Sequence, residues 1–375
     1  MADFYCSQKF WWLSIEPERR TIGSCCAATT SKIDLTWLKN NPGELFNTPE
    51  LKQERQMMLA NKPVASCEAT CWQAERNGIP SRRTIFGSDT PTHTEIQAAP
   101  ELINIIVGSH CNLTCSYCSK QNSTAWLHDI NDNGPYLDEP RYQINTNDHI
   151  VLKLGQSKIK VSEPYQQIIN SVKALRGSLK QIEISGGEPF LYNGLTDLVS
   201  SFDYPVDVWT GLGVNTARLS KILDELPPET TFTISAENVG KQYEFNRFGN
   251  SWENFLRNFE LINHRFKYRF CNVLSNLTVH GFEQFQTEFG TDRDVVQVCN
   301  DPDYLNANVL DAGSKSAFLA HTYKYHDREI KQTVSIPHTA EQEQNFKKYV
   351  TEFAKRRGLS MKIFPDNFVT WFNSL

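Results

Sequence analysis

The sequence has no apolar run of the roughly 18 residues that a membrane-spanning helix needs. The stretch from Met1 to Cys6 has neither the basic segment nor the apolar core of a secretory signal, so we expect a cytoplasmic protein. An excess of positive charge is also missing. The chain has 38 Lys and Arg against 43 Asp and Glu, and this net charge of −5 gives no general attraction for nucleic acid. We find no internal repeat and no low-complexity tract. With 39% hydrophobic and 22% charged residues, the 375-residue chain is typical of a folded globular protein.

Cysteine, by contrast, is abundant. Ten cysteines in a chain without a secretion signal favour metal or redox chemistry over disulfide bonds. Five of them form two tight groups, Cys67-x3-Cys71 and Cys111-x3-Cys115-x2-Cys118. Two others, Cys271 and Cys299, lie in strand patterns, where a free cysteine packs as a small apolar residue.

The order of predicted elements divides the chain into three parts. Residues 1–98 form a cysteine-rich module that ends in a polar, proline-containing linker. Residues 99–310 alternate strands and helices about six times, which predicts an α/β fold with a parallel sheet, most simply a partial (β/α)6 barrel. Residues 311–375 are a C-terminal extension with one amphipathic helix behind Thr339. The predicted strands cover residues 102–107, 180–185, 206–210, 231–235, 270–279 and 295–298.

One stretch interrupts this alternation. Residues 119–160 are rich in Asn, Asp and Gly and longer than a barrel connection needs. Long loops of this kind are usually functional or disordered, so we expect this one to contribute to a substrate lid.

The cysteines of residues 111–118 supply three thiolates within eight residues, directly after a predicted strand. A structural zinc site needs four ligands, and no fourth cysteine lies nearby. Three thiolates on a 4Fe–4S cubane leave one iron open to a non-protein ligand, which suits a site that must bind and reduce a small molecule.

The segment Cys111-Asn-Leu-Thr-Cys115-Ser-Tyr-Cys118 resembles the CxxxCxφC signature of the radical S-adenosylmethionine (radical SAM) superfamily, with Tyr117 as its aromatic residue. The turn Gly186-Gly187-Glu188-Pro189 resembles the GGEP element of that family, which binds the ammonium of the cofactor through backbone groups. The resemblance, over residues 101–305, implies further cofactor contacts. They are Asn215 at the end of the third strand, Ser235 and Glu237 at the fourth as ribose contacts, and Arg247 for the cofactor carboxylate.

The N-terminal module resembles the SPASM/twitch auxiliary-cluster portion of certain radical SAM proteins, although in most relatives that portion follows the barrel. The resemblance implies a second 4Fe–4S cluster on Cys6, Cys25, Cys67 and Cys71, with Cys26 as the alternate for Cys25. Zinc and free buried thiols are the alternatives.

The resemblance implies a shared opening step. The 4Fe–4S cluster, reduced by a donor such as flavodoxin or ferredoxin, cleaves S-adenosylmethionine to methionine and a 5′-deoxyadenosyl radical. That radical abstracts hydrogen from a substrate C–H bond. We expect the substrate to be a peptide or protein side chain. The alternatives are a nucleotide or modified DNA base, or a non-catalytic Fe–S or zinc protein. The shared chemistry does not name the substrate.

Overall fold

The computed structural model describes residues 4–26, 28–76, 81–85, 87–145, 148, 162–175, 177 and 179–375. Within these residues, nine strands form one mostly parallel sheet. In chain order β1 to β9 they are Trp12–Glu16, Thr21–Gly23, Ser31–Lys32, Leu102–Ile106, Gln181–Ser185, Val206–Thr210, Thr231–Ser235, Lys267–Leu274 and Val295–Val298. Their order across the sheet is β3-β2-β1-β4-β5-β6-β7-β8-β9. The predicted α/β class is therefore confirmed.

In the described residues, the helices longer than five residues are, in chain order α1 to α13, Leu35–Asn40, Pro49–Leu59, Thr124–Asn133, Glu163–Ala174, Leu195–Ser200, Thr216–Glu225, Gly240–Asn246, Trp252–Asn263, Val279–Glu288, Ala312–Ala320, Asp327–Ser335, Ala340–Arg357 and Asp366–Ser374.

The six strands predicted from the sequence are β4 to β9. The one predicted over residues 270–279 spans Lys267–Leu274 instead, because the chain turns directly after it. In that turn the Ser275 amide donates to Thr278 Oγ1 at 2.8 Å, and the Thr278 hydroxyl donates to the carbonyl of Val273 at 2.6 Å. Strands β1 to β3 were not predicted.

The described chain divides into two compact units. Unit 1 consists of residues 1–108, 158–186 and 194–208, and unit 2 consists of residues 109–157, 187–193 and 209–375. In unit 1, β1 pairs in parallel with β4 and antiparallel with β2. In unit 2, β7, β8 and β9 pair in parallel. The predicted boundaries after residues 98 and 310 stay predictions.

Two helical regions differ from the sequence-based expectation. Residues 124–133, inside the predicted long loop, form α3 behind a Ser123 cap and bury Trp126, Leu127 and Ile130. Much of the remaining predicted lid, residues 146–147 and 149–160, lies outside the described residues. Residues 311–375 form four helices, α10 to α13, where one was predicted. The predicted one is α12, which begins with a capping box at Thr339.

None of the helices in the described part of the chain combines the length and apolar character that crossing a bilayer requires.

Candidate metal centre and cofactor site

The cysteine loop, residues 111–118, comes after β4 in the chain and lies in unit 2. Cys111 and Cys115 are buried together with Leu113, and Tyr117 and Cys118 pack against them. Burial and neighbouring Cys115 raise the pKa of the Cys111 thiol well above its usual value. Burial also raises the pKa of Cys115 to about 12, although Arg247 opposes this shift. The loop thus holds three neighbouring thiols in a water-poor site, and metal binding there must release their protons.

Glycines make room for the loop's central residue. A Cβ at Gly213 would come within 2.8 Å of the Leu113 side chain, and one at Gly249 would lie 2.8 Å from the Asn112 carbonyl. Gly249 also has a φ of +108°, a conformation that favours glycine. The Asn112 side chain donates to the carbonyl of Gly213 at 2.7 Å. The sequence analysis did not predict this close packing of Gly213 and Gly249 against the loop.

The Gly186-Gly187 turn leaves no space for a side chain. A Cβ on Gly187 would lie 2.3 Å from the His110 carbonyl oxygen, at the start of the cysteine loop. The amide of Glu188 donates to the same carbonyl at 2.8 Å. In unit 1, Gly186 has a φ of +138° and a Cβ there would lie 2.5 Å from the carbonyl oxygen of Gly108. Close backbone packing therefore explains both glycines.

The carboxylate of Glu188 is bound by the protein itself. It is buried and accepts hydrogen bonds from Thr210 Oγ1 at 2.7 Å, from the Gly211 amide at 3.0 Å and from the Phe190 amide at 3.2 Å. Burial raises the pKa of Glu188, and these hydrogen bonds oppose the shift. Pro189 begins a short buried turn, Pro189–Leu191. The Glu188 side chain therefore joins the GGEP turn to the segment that follows β6.

Buried Arg247 and Glu237 form a polar group with half-buried Tyr117 beside the thiols. Arg247 Nη2 donates to Glu237 Oε2 at 2.9 Å, and the Tyr117 hydroxyl donates to Glu237 Oε1 at 2.6 Å. Arg247 Nη1 lies 4.0 Å from Cys115 Sγ. Burial disfavours the charge of Arg247, but Glu237 and Tyr117 raise its pKa well above the usual value. Its Nε is buried and has no hydrogen-bond partner among the described residues.

Two other predicted positions lie at element ends. Asn215 caps α6, and its side chain accepts hydrogen bonds from the amides of Ala217 and Arg218. Ser235 is the last residue of β7 and is half-buried. The structure does not test their predicted contacts with a cofactor.

In unit 1, four cysteines line one pocket. Cys6 precedes β1, Cys25 follows β2, and Cys67 and Cys71 lie in consecutive helical turns. Cys26 is exposed and is not among the pocket-lining residues. The predicted set Cys6, Cys25, Cys67 and Cys71 is thus brought together.

Cations surround these four thiols. Lys9, Arg82 and Arg83 line the same pocket. Lys9 is buried, and its Nζ lies 2.6 Å from Glu54 Oε2 and 3.0 Å from Ser66 Oγ. Burial raises the pKa of Cys67 to about 11, and the positive charge of Lys9 opposes the shift. Burial and the other cysteines raise the pKa of Cys6 to about 12.

Among the described residues, no three His, Cys, Asp or Glu side chains are grouped so that they could hold one metal ion. In a cubane each cysteine binds a different iron, so cluster ligands do not converge on one point.

Residues 105–287 match the family model of the Radical SAM superfamily. The matched segment spans just under half of the chain. The match includes the cysteine loop, the GGEP turn and Arg247. This match supports the expectation of an enzyme, with its reaction subclass open. A search of curated proteins found no match.

Among solved structures, the chain is similar to the crystal structure of Streptococcus suis SuiB bound to precursor peptide SuiA. The TM-score is 0.32 and the sequence identity is 14%, over 84% of this chain and 53% of that chain. The chain therefore spans about half the length of SuiB.

Proposed function

We propose that Cys111, Cys115 and Cys118 hold a 4Fe–4S cluster whose fourth iron binds S-adenosylmethionine, and that the enzyme abstracts hydrogen from a substrate C–H bond. The observation that carries this proposal is the group of three neighbouring thiols, buried Cys111 and Cys115 with half-buried Cys118, beside Arg247. The buried Nε of Arg247 has no hydrogen-bond partner among the described residues. When bound, the cluster and S-adenosylmethionine supply the hydrogen-abstracting radical by one-electron reductive cleavage.

The chain's own residues then bind and orient the cofactor. Backbone groups of the Gly186-Gly187 turn would bind its ammonium. Arg247 would bind its carboxylate, because Nε remains available while Nη2 is held by Glu237. Tyr117, Asn215 and Ser235 would complete the site. Both oxygens of Glu237 already accept hydrogen bonds, so we assign it the orientation of Arg247 and Tyr117 in addition to its predicted ribose contact.

We further propose that Cys6, Cys25, Cys67 and Cys71 hold a second 4Fe–4S cluster. Their shared pocket supports this proposal, as does the cationic lining that would offset the negative charge of four thiolates. Cys25 is preferred to the exposed Cys26. Four cysteine ligands leave no open iron, so this cluster would transfer electrons rather than bind substrate.

For the substrate we propose a peptide or protein side chain. The net charge of −5 favours this class over a nucleic acid, whose phosphates attract basic proteins. A nucleotide or modified base is the alternative outcome of the test.

The test is anaerobic reconstitution, followed by reduction and an assay for 5′-deoxyadenosine. We expect the parent to form 5′-deoxyadenosine and the variant with Cys111, Cys115 and Cys118 all changed to Ala to form none. Cys271→Ala is the matched control, because it removes a buried thiol on β8, outside the loop. Product formation by the triple variant at the parent rate would contradict the cluster assignment.

The substrate class is tested with the same assay. Peptide fractions of a cell extract should stimulate 5′-deoxyadenosine formation above the uncoupled rate. Stimulation by the nucleotide fraction alone would replace the peptide proposal with the alternative.

A further inference from the structure

We propose that α12, far along the chain, positions the cysteine loop through Tyr349 and Arg357. This inference rests on the proposed cluster at Cys111, Cys115 and Cys118. It makes the C-terminal extension part of the metal centre, although neither residue is a ligand.

Tyr349 holds the middle of the loop. Its hydroxyl donates a hydrogen bond to the carbonyl oxygen of Ser116, the residue between the second and third cysteines. The Tyr349 side chain is buried, and burial raises its pKa well above the usual value, so the hydroxyl keeps the proton that it donates. Ser116 is also fixed from another side, because its hydroxyl donates to Asn246 Oδ1 at 2.8 Å.

Arg357 holds the first half of the loop. Its Nε lies 3.0 Å from Thr114 Oγ1, between the first and second cysteines. Nη1 donates to the Tyr136 hydroxyl at 2.6 Å, and the guanidinium lies 3.9 Å from the Phe353 ring centroid. The side chain is only 4% exposed, so water does not compete for these contacts.

The helix itself is firmly placed. Its first turn is closed by the capping box of Thr339 and Gln342, and its last residue is followed by Gly358 in the left-handed conformation. Phe346, Val350 and Phe353 on one face are buried in the core of unit 2. A rigid helix that bonds two points of the loop restricts where the intervening thiols can lie.

A third contact acts on the same loop. The indole Nε1 of Trp126 donates to the carbonyl of Cys115 at 3.0 Å, and the Trp126 ring packs against those of Tyr349 and Phe353. The carbonyls of adjacent loop residues, Cys115 and Ser116, are therefore bound by side chains that also touch each other. This is the arrangement expected of a support for the loop.

The test compares the full-length parent, reconstituted with iron and sulfide, with the variants Tyr349→Phe and Arg357→Gln reconstituted in the same way. The matched controls are Tyr323→Phe, a buried tyrosine elsewhere in the extension, and Arg356→Gln, the adjacent buried arginine, which binds Glu352. The measurements are the rate of iron loss to a chelator, the electron paramagnetic resonance signal of the reduced cluster and urea unfolding of the metal-free chain.

We expect Tyr349→Phe to lose iron from this cluster about three- to tenfold faster than the parent, and Arg357→Gln about ten- to a hundredfold faster. Both should shift or broaden the signal of the reduced cluster, and Arg357→Lys should recover part of the loss. The controls should stay within about twofold of the parent. Tyr349→Phe keeps the ring, so it remains informative if Arg357→Gln does not fold.

Iron loss and cluster signal at parent values in both variants would overturn the inference while leaving the cluster in place. If the parent holds no iron that depends on Cys111, Cys115 and Cys118, the proposed function fails, and this inference fails with it.

Discussion

Breaking the buried ion pair of Arg247 and Glu237 should harm both folding and cofactor binding. The two side chains are 5% and 1% exposed and lie 2.9 Å apart. Arg247→Met leaves the Glu237 carboxylate buried without its cation, which typically costs about 3–5 kcal/mol of folding free energy. Urea unfolding of the metal-free chain measures this cost.

The same variant should weaken S-adenosylmethionine binding. Loss of a desolvated Arg–carboxylate contact should lower the affinity by roughly ten- to several-hundred-fold. Arg247→Lys should recover only part of it, because lysine lacks the planar fork. Iron content should stay unchanged, since Arg247 is not a ligand.

A double-mutant cycle separates the two effects. Glu237→Gln with Arg247→Met removes both charges, so the folded chain should recover much of the stability lost in Arg247→Met. Cofactor binding should not recover. Parent-like stability and parent-like anaerobic titration with S-adenosylmethionine in Arg247→Met would refute this reasoning.

Three further predictions follow from other parts of the chain. Gly187→Ala should abolish S-adenosylmethionine binding, because the added Cβ would lie 2.3 Å from the His110 carbonyl oxygen. Gly43→Ala is the control, because the nearest atom to its added Cβ would be 3.7 Å away. Equal binding of S-adenosylmethionine by the two variants in anaerobic titrations would contradict this prediction. Anaerobic reconstitution should give about eight irons per chain, as expected for two 4Fe–4S clusters. A count of about four irons with one zinc per chain would make the N-terminal site a structural zinc site. Burial lowers the pKa of His280 to about 4. Since the unfolded chain binds this proton near pH 6.5, stability should fall by up to about 3 kcal/mol as pH falls from 6.5 to 4. Urea unfolding should show that His280→Asn loses less stability than the parent between pH 6.5 and pH 4, while the control His264→Asn, at an exposed position, loses as much as the parent. A loss in His280→Asn equal to that of the parent would exclude His280 as the cause.

The sequence predicted the parts of the fold that depend on local pattern. Apolar runs such as those of β4 and β5 indicated the strands, and Thr339 correctly marked a helix start because capping is a local interaction. Strand β1 was missed because its parallel partner, β4, lies about ninety residues away in the chain. Helix α3 was missed because its polar residues obscured the buried face of Trp126, Leu127 and Ile130.

The candidate site was predicted as far as its motifs reach. The spacing of Cys111, Cys115 and Cys118 is visible in the sequence. The contacts that place them are not, because Arg357 and Tyr349 lie more than two hundred residues away and carry no motif. Likewise, the sequence indicated Arg247 as a cofactor ligand but gave no sign that Glu237 would pair with it.

The central claim is that S-adenosylmethionine binds the open iron of a 4Fe–4S cluster in the cysteine loop. The most direct test is electron paramagnetic resonance of the reduced, reconstituted protein before and after addition of S-adenosylmethionine. A cluster held by Cys111, Cys115 and Cys118, with its fourth iron open, predicts a signal that changes when S-adenosylmethionine is added and that disappears in the triple Ala variant. Any signal from the N-terminal site should stay the same. A signal that does not respond to S-adenosylmethionine, or that survives in the triple variant, would contradict the account.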